Sequence, residues 1–509
     1  MKKCIKVLAL ALALSLAALA AFAEANKDRM LNLSILAPLT TTNPMNSSNL
    51  QDNMVLLQMA DGLWAVNEGN MKVEPRIAKS WDISADGKVY TFHLNPKAKF
   101  HNGDTVKASD CVFSFEYASK NPRMSSFYTS IAKVEAPDDR TFVMTLTAPN
   151  AGIFATLNTH CFMLSEREFK EQGEKFGTQI HKACCGPYMM SRLDGLDSYW
   201  ELTADPNYYR GEAPIKKISY KPIIEASAGL IAFESGELDW YIAPIANWDG
   251  LTANPDYHTE LVPANHQSYF IINYTNGELK DINLRKAIAY AINKDECNDV
   301  CYSGLAKIAK YMYNPETNIA APAHDVYYEY NPELAKEYLK KSSMPDGGKL
   351  SGAIQCSSGG YFQKMAVVIQ QNLADIGLEV NVTPMQSATN MDVMRQNRHF
   401  MGTSGGTCRG DYDAIREWYH SNSAGTSFIK FNAGTEFDSK YIDSMLDKGA
   451  ALNDPAERSK VYAEVDSYVA KGAVYIPIFH KVQPYVWTKA LNIPKNYSNF
   501  PSIYEWSWN

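Results

Sequence analysis

No stretch of this 509-residue sequence concentrates lysine and arginine, and the formal charge is −7 with a pI near 5.9. A surface that reads nucleic-acid phosphates needs a basic cluster, so nucleic acid is excluded as a partner. Glycine (29) and proline (24) stay near average use, which excludes collagen-like and low-complexity chains. There is no CxxC, and no cysteine pair has a histidine at ligand spacing, so no metal site is expected. HExxH, phosphate-loop and dinucleotide fingerprints are also missing, so no catalytic residue and no cofactor is expected. Beyond residue 23 no run approaches 18 apolar residues, which excludes a membrane-spanning helix in the mature chain.

What is present begins with a leader. Lys2, Lys3 and Lys6 precede an uncharged apolar run, residues 7–20, and Ala21-Phe22-Ala23 offers the small–x–small pattern of signal peptidase. Cleavage is expected after Ala23, and no cysteine follows to carry a lipid. Losing those three lysines takes the formal charge from −7 to −10. The sequence is 46% hydrophobic, enough for a large core, and its length suggests about two to four domains. Of nine cysteines, Cys4 lies in the leader. Eight remain, and an even number in an oxidising compartment favours some disulfides.

Local patterns predict an α+β first half and an α/β second half. Residues 89–94 alternate so that Tyr90, Phe92 and Leu94 share a face, and Asp86-Gly87 offers a turn back to residues 81–84. Residues 108–118 predict a helix with Asp110 in its first turn, and residues 54–63 predict another. Asn331-Pro332 and Asp454-Pro455 are helix starts with a cap and a proline at the first turn. A strand-like tail from residue 474 suggests that the chain returns to its first lobe.

Ser80-Trp81, Asp86-Gly87, Tyr90-Thr91-Phe92, Lys99-Phe100-His101-Asn102-Gly103-Asp104, Asp110 and Phe113-Ser114 together resemble the signature of the bacterial extracellular solute-binding protein family 5. These are the oligopeptide-, dipeptide- and nickel-binding components of ABC importers. Gly186-Pro187-Tyr188, residues 284–294, residues 331–336 and residues 373–377 match further landmarks in order. The resemblance implies a two-lobed α/β fold of the type II-like, large peptide-binding class. Lobe I would cover residues 24–272 plus 480–509, with a β-rich subdomain at about 65–190, and lobe II residues 273–479. Crossings at residues 266–274 and 477–484 would form the hinge.

The resemblance also implies a function: a periplasmic monomer that closes on a short peptide and delivers it to a membrane permease and its ATPase. A nickel chelate, sugar or acidic metabolite is the alternative cargo, and an exported thiol enzyme using Cys184 or Cys185 a further one. Three departures stand out. Lys107 replaces a capping Thr, Cys184-Cys185 replaces Gly-Thr, and Thr407-Cys408-Arg409-Gly410-Asp411-Tyr412 replaces Trp-x-x-Asp-Tyr.

Asp411 stands where the family's aspartate pairs with a peptide's amino group; ordering its own glycine-rich loop is the open alternative, and Asp413 the fallback. Arg409 could pin a carboxylate or join a surface ion pair. Gly406, Thr407 and Cys408 belong to the same loop. Met45 and Asn46 correspond to a first-lobe binding loop, and Cys185 with Gly186 to a loop bordering the cleft. Cys184 or Cys185 could pair with Cys161 or Cys111, and Cys408 with Cys356; spacing leaves the pairs open. His420 would matter for a metal chelate.

Overall fold

The structure, a computed structural model, describes residues 29–47, 50–67, 72–313, 323–407, 411–423, 428–432, 434, 436–494 and 502–509. The expected leader lies outside them. Among the described residues no helix is long and apolar enough to cross a membrane.

The β-rich part forms where period-two sequence predicts it. Val89–Leu94 buries Tyr90, Phe92 and Leu94 and pairs with Ala78–Ile83 on one side and Thr141–Leu146 on the other. Gly87 takes φ +68° in the connecting turn, a conformation that glycine adopts without a Cβ penalty. Phe92 stacks on Trp64 at 5.3 Å, and Phe154 meets Trp64 edge-on at 4.9 Å, so the alternating aromatics fill a core. The helix Ala108–Lys120 solves its missing cap from inside: the Lys107 amide donates to Asp110 Oδ2 at 3.0 Å. The helix expected at residues 54–63 runs instead over Leu50–Met59. The amide of Gly186 donates to the Met59 carbonyl at 2.8 Å, in a contact no local pattern announces.

A second four-stranded sheet orders Met30–Ile35, Lys217–Pro222, Trp200–Ala204 and Tyr188–Leu193, the first pair parallel. Both sheets share one hydrophobic core, which Ile503 and Trp506 from the tail also enter.

The largest sheet runs Trp240–Ile242, Tyr475–Thr488, Tyr257–Ile272, Met401–Thr407, Gly348–Ser357 and Leu378–Met385, with Lys307–Ile308 added on Tyr475–Thr488. Its two long strands, Tyr257–Ile272 and Tyr475–Thr488, carry the chain between two bodies. They pair antiparallel up to Pro263↔Val482, lose register, and resume at Gln267↔His480. On one side of the break Val262, Tyr485 and Trp487 belong to the first core. On the other side Phe270, Ile476 and Phe479 belong to a core under the helix Gly360–Ala374, while Tyr269 and Tyr475 belong to a third on the opposite face. The molecule is two lobes of α/β structure, with the two long strands running between them.

Helices of the second lobe follow their sequence signals. Asn331 accepts from Leu334 N at 3.0 Å at the start of Pro332–Lys340, and Asp454 from Glu457 N at 2.8 Å at the start of Pro455–Ala470. Gly360–Ala374 ends just before Gly377, at φ +91°.

Candidate functional site

A cavity of about 750 Å³ lies between the loop preceding Ile153–Leu157 in the first lobe and the segment after Met401–Thr407 in the second. Its first-lobe wall includes Phe127, Ser130 and Asn150; its second-lobe wall includes Asp411, Asp413, Arg416, His420 and Asp447. The walls touch directly: the Ala151 amide donates to the Ala450 carbonyl at 2.8 Å. A Cβ added at Gly152 would lie 3.2 Å from Asp411 Oδ1, so the approach is already close without a side chain.

Asp411 is engaged on its own lobe. Arg458 donates Nη1 to Oδ2 at 2.8 Å and Nη2 to Oδ1 at 2.6 Å, and Oδ1 also accepts the Asp413 amide at 2.8 Å. This bidentate pair is partly buried, with side chains 9% and 18% exposed. Burial alone would lower the Arg458 pKa; Asp411 and Tyr462 together raise it above the ordinary value, so the guanidinium stays charged. Asp413 receives Arg416 Nε at 3.1 and 2.9 Å and the Tyr462 hydroxyl at 2.6 Å, yet burial still raises its pKa. Arg416 Nη1 reaches Asp447 Oδ1 at 2.8 Å. His420 sits 3.6 Å from both Asp443 and Asp447. The second-lobe wall thus carries more carboxylates than guanidinium groups, a field that favours an ammonium group. Among the described residues no cluster could hold a metal ion.

Of the residues singled out from sequence, Asp411, Asp413 and His420 share this cavity. Cys408 and Arg409 lie outside the described residues, as does the side chain of Thr407, whose backbone pairs with His266 at the strand end. Gly406 packs under Trp418, whose ring a Cβ would meet at 2.8 Å. Asn46 lines a separate first-lobe cavity of about 570 Å³ with Lys120 and Arg123, where Arg123 Nη1 donates to its carbonyl at 3.2 Å. Met45 is fully buried beside it, its carbonyl held by Asn121 Nδ2 at 3.0 Å.

Cys185 and Gly186 stand inside the first-lobe core. The Cys185 thiol points at the carbonyls of Met163 and Asp61 at 3.7 and 3.8 Å, and a Cβ at Gly186 would lie 2.4 Å from the Met59 backbone.

The expected disulfides are a correction. The seven described cysteines are free, Cys408 being outside the described residues. Cys111, Cys161, Cys184 and Cys185 fill the first core as small apolar side chains. Burial raises the thiol pKa of each, well away from the activated thiolate an enzyme would need.

Sequence reading missed two features. Gly402-Thr403-Ser404-Gly405-Gly406 spells G-x-S-x-G, but Ser404 sits mid-strand opposite Tyr269 rather than at a strand-to-helix turn, so it is no nucleophile elbow. Arg458 was the other, 47 residues from its partner. It occupies the apolar stripe of Pro455–Ala470 with Val461, Tyr462, Val465 and Val469, and an arginine on a buried stripe signals a buried carboxylate.

Comparison with known proteins agrees with this architecture. Residues 72–428 match the profile of the bacterial extracellular solute-binding proteins, family 5 Middle. Glutathione-binding protein GsiB of Salmonella paratyphi A is 26% identical over 455 residues, 86% of each chain. HbpA2 from Haemophilus parasuis superposes with a TM-score of 0.83 at 23% identity, over 94% of this chain and 99% of its own. The dipeptide-binding protein from Pseudoalteromonas sp. SM9913, solved with Met-Leu, gives 0.78 at 20% identity, over 94% and 100%. The signature around Trp81 and Phe92, the order of the later landmarks and the two-lobed fold have one common explanation: the chain belongs to the bacterial extracellular solute-binding proteins of family 5.

Proposed function

We propose that this chain is the periplasmic binding component of an ABC importer, a monomer that captures short peptides between its lobes and presents the closed form to a permease and its ATPase. The observation that carries the reading is a cavity whose walls come from two bodies, with the two long strands that run between them interrupted by a register break. Bodies so joined rotate about the crossing, and a cargo touching both walls stabilises the closed arrangement by its extra contacts there. The lobes are taken to divide at that crossing, a few residues before the boundary at residue 272 expected from sequence: lobe I runs to about residue 263 and again from 482, and lobe II lies between residues 267 and 480. The relatives named for glutathione and solved with Met-Leu support a peptide as cargo. Among the described residues nothing supplies a membrane span, so the pore belongs to the partner.

Small-angle scattering tests the motion. The unliganded chain should scatter as a more extended particle than this structure, in which Ala151 already meets Ala450, and saturating Met-Leu should bring it to the structure's profile. A peptide bound by calorimetry without compaction overturns the reading. Asp411 is proposed to face the peptide's ammonium while Arg458 holds its carboxylate in place. Asp411→Asn should weaken Met-Leu by about 2 kcal/mol and leave N-acetyl-Met-Leu unchanged. Equal loss for both peptides would make Asp411 a purely structural residue.

A further inference from the structure

The first lobe carries a second cavity, of opposite character to the acidic one between the lobes. It holds about 570 Å³ and is bounded by segments 40–46, 117–123 at the end of the helix Ala108–Lys120, and 176–178. Every residue that lines it belongs to the first lobe.

A directed run of hydrogen bonds decides which groups its wall leaves unspent. Asn43, 1% exposed, accepts the Met45 amide on Oδ1 at 2.9 Å, so its Nδ2 is the donor to the Tyr117 hydroxyl at 3.0 Å. That hydroxyl donates onward to Asn46 Oδ1 at 3.2 Å, and the same oxygen receives Asn121 Nδ2. Asn46 therefore spends its side-chain oxygen alone, and no described residue accepts from its Nδ2. Its carbonyl meanwhile holds Arg123 Nη1 at 3.2 Å, which leaves Nε and Nη2 of that guanidinium without a described acceptor.

Lys120 adds a second cation to the same wall. Its pair with Glu116, at 3.4 Å with side chains 76% and 56% exposed, is weak. The carboxyl end of Ala108–Lys120 accounts for one cation nearby, but not for a second whose fork is mostly unspent. Among the described residues lining the cavity none is a carboxylate. Asp52, behind the loop, is fully buried and accepts from Thr40 N and Oγ1 at 2.8 and 2.5 Å. The rings of Tyr117 and Phe176 supply apolar wall beside these donors.

From this juxtaposition of Arg123, Lys120 and Asn46 we infer a further binding site, wholly within the first lobe, for a small molecule that carries a phosphate monoester on an apolar body. Two cations match the nearly double charge of such a group, and an arginine fork with a neighbouring amide meets its terminal oxygens. A bare ion would leave most of the volume and both rings unused. Since the second lobe supplies no wall, occupancy needs no closure, and this ligand and a cargo between the lobes bind together. The inference does not depend on the peptide reading.

Calorimetry on the full chain with phenyl phosphate, inorganic phosphate and phenol tests it. Phenyl phosphate should bind at one site, about tenfold more tightly than inorganic phosphate and at least roughly thirtyfold more tightly than phenol. Arg123→Gln should weaken phenyl phosphate about thirtyfold and Lys120→Gln about threefold, the difference between a forked contact and a single exposed charge. Saturating Met-Leu should leave the phenyl phosphate titration unchanged. Displacement by Met-Leu would put the anion between the lobes and overturn the site. Failure of both phosphates to bind the wild-type chain overturns it too, as does phenol binding as tightly as its phosphate, and these results need no variant to fold. Undiminished binding by Arg123→Gln does the same.

Discussion

Acidification from pH 7 to pH 5 is expected to withdraw about 6 kcal/mol of stability through three of the buried histidines that the fold keeps neutral, partly offset by two buried carboxylates. Burial lowers the pKa of His101 to about 4 and those of His399 and His480 to about 3. In the unfolded chain each titrates near 6.5, so below that pH the unfolded state takes up protons that the folded state refuses. The stability these groups contribute is complete above about pH 6.5 and falls as pH drops toward the folded values, by roughly 1.4 kcal/mol per unit for each histidine. Asp61 and Asp413, both raised by burial, work in the opposite direction and give stability back as they protonate. Lys294 and Lys481, lowered to about 7 and about 8, regain their charge mostly above this window. Urea unfolding at pH 7, 6 and 5 measures the slope. His399→Leu should remove about a third of it at little cost at pH 7, since neither ring nitrogen of His399 has a hydrogen-bond partner among the described residues. A flat stability profile between pH 7 and 5 would refute the account.

Arg285→Met should destabilise the second lobe by about 2–4 kcal/mol, the cost of leaving buried carbonyls without their donor. Arg285 is fully buried, yet every arm of its guanidinium is used. Nε donates to the Gly472 carbonyl at 2.8 Å, and Nη1 to the carbonyls of Leu279 and Lys280 at 2.7 and 3.0 Å. Nη2 meets the carboxylate of Glu436. The side chain thereby ties the helix Ile282–Ala291 to the turn that follows Pro455–Ala470. Burial lowers the Arg285 pKa, and Glu436 opposes that shift. Removal leaves the carbonyls of the buried Leu279 and Gly472 without their donor, while the exposed Glu436 carboxylate turns to water. Arg285→Lys should rescue little, because a single ammonium cannot span the fork. A midpoint of chemical unfolding unchanged in Arg285→Met would show that these bonds add nothing net.

The parts of the fold legible from sequence are those whose cause is local. Alternation marked Val89–Leu94, Asp-Pro and Asn-Pro pairs marked two helix starts, and Gly377 marked a helix end. Misplacement of the helix Leu50–Met59 came from a partner, Gly186, some 130 residues away. The candidate site divides the same way. Asp411 was recognisable from the pattern of its segment, but its clasp by Arg458 depends on how the helix Pro455–Ala470 packs. Cys184 and Cys185 looked like loop residues because sequence shows no burial; in the fold they are core.

The interrupted pairing between Pro263↔Val482 and Gln267↔His480 has one more consequence. Paired strands flank the gap, and a second register shift follows at Ser268–Tyr269, so the proposed swing of the halves would be centred on a joint three residues wide on one strand and one residue wide on the other. Cargoes of different size would then all turn the same axle, and discrimination among them would rest with the jaws alone.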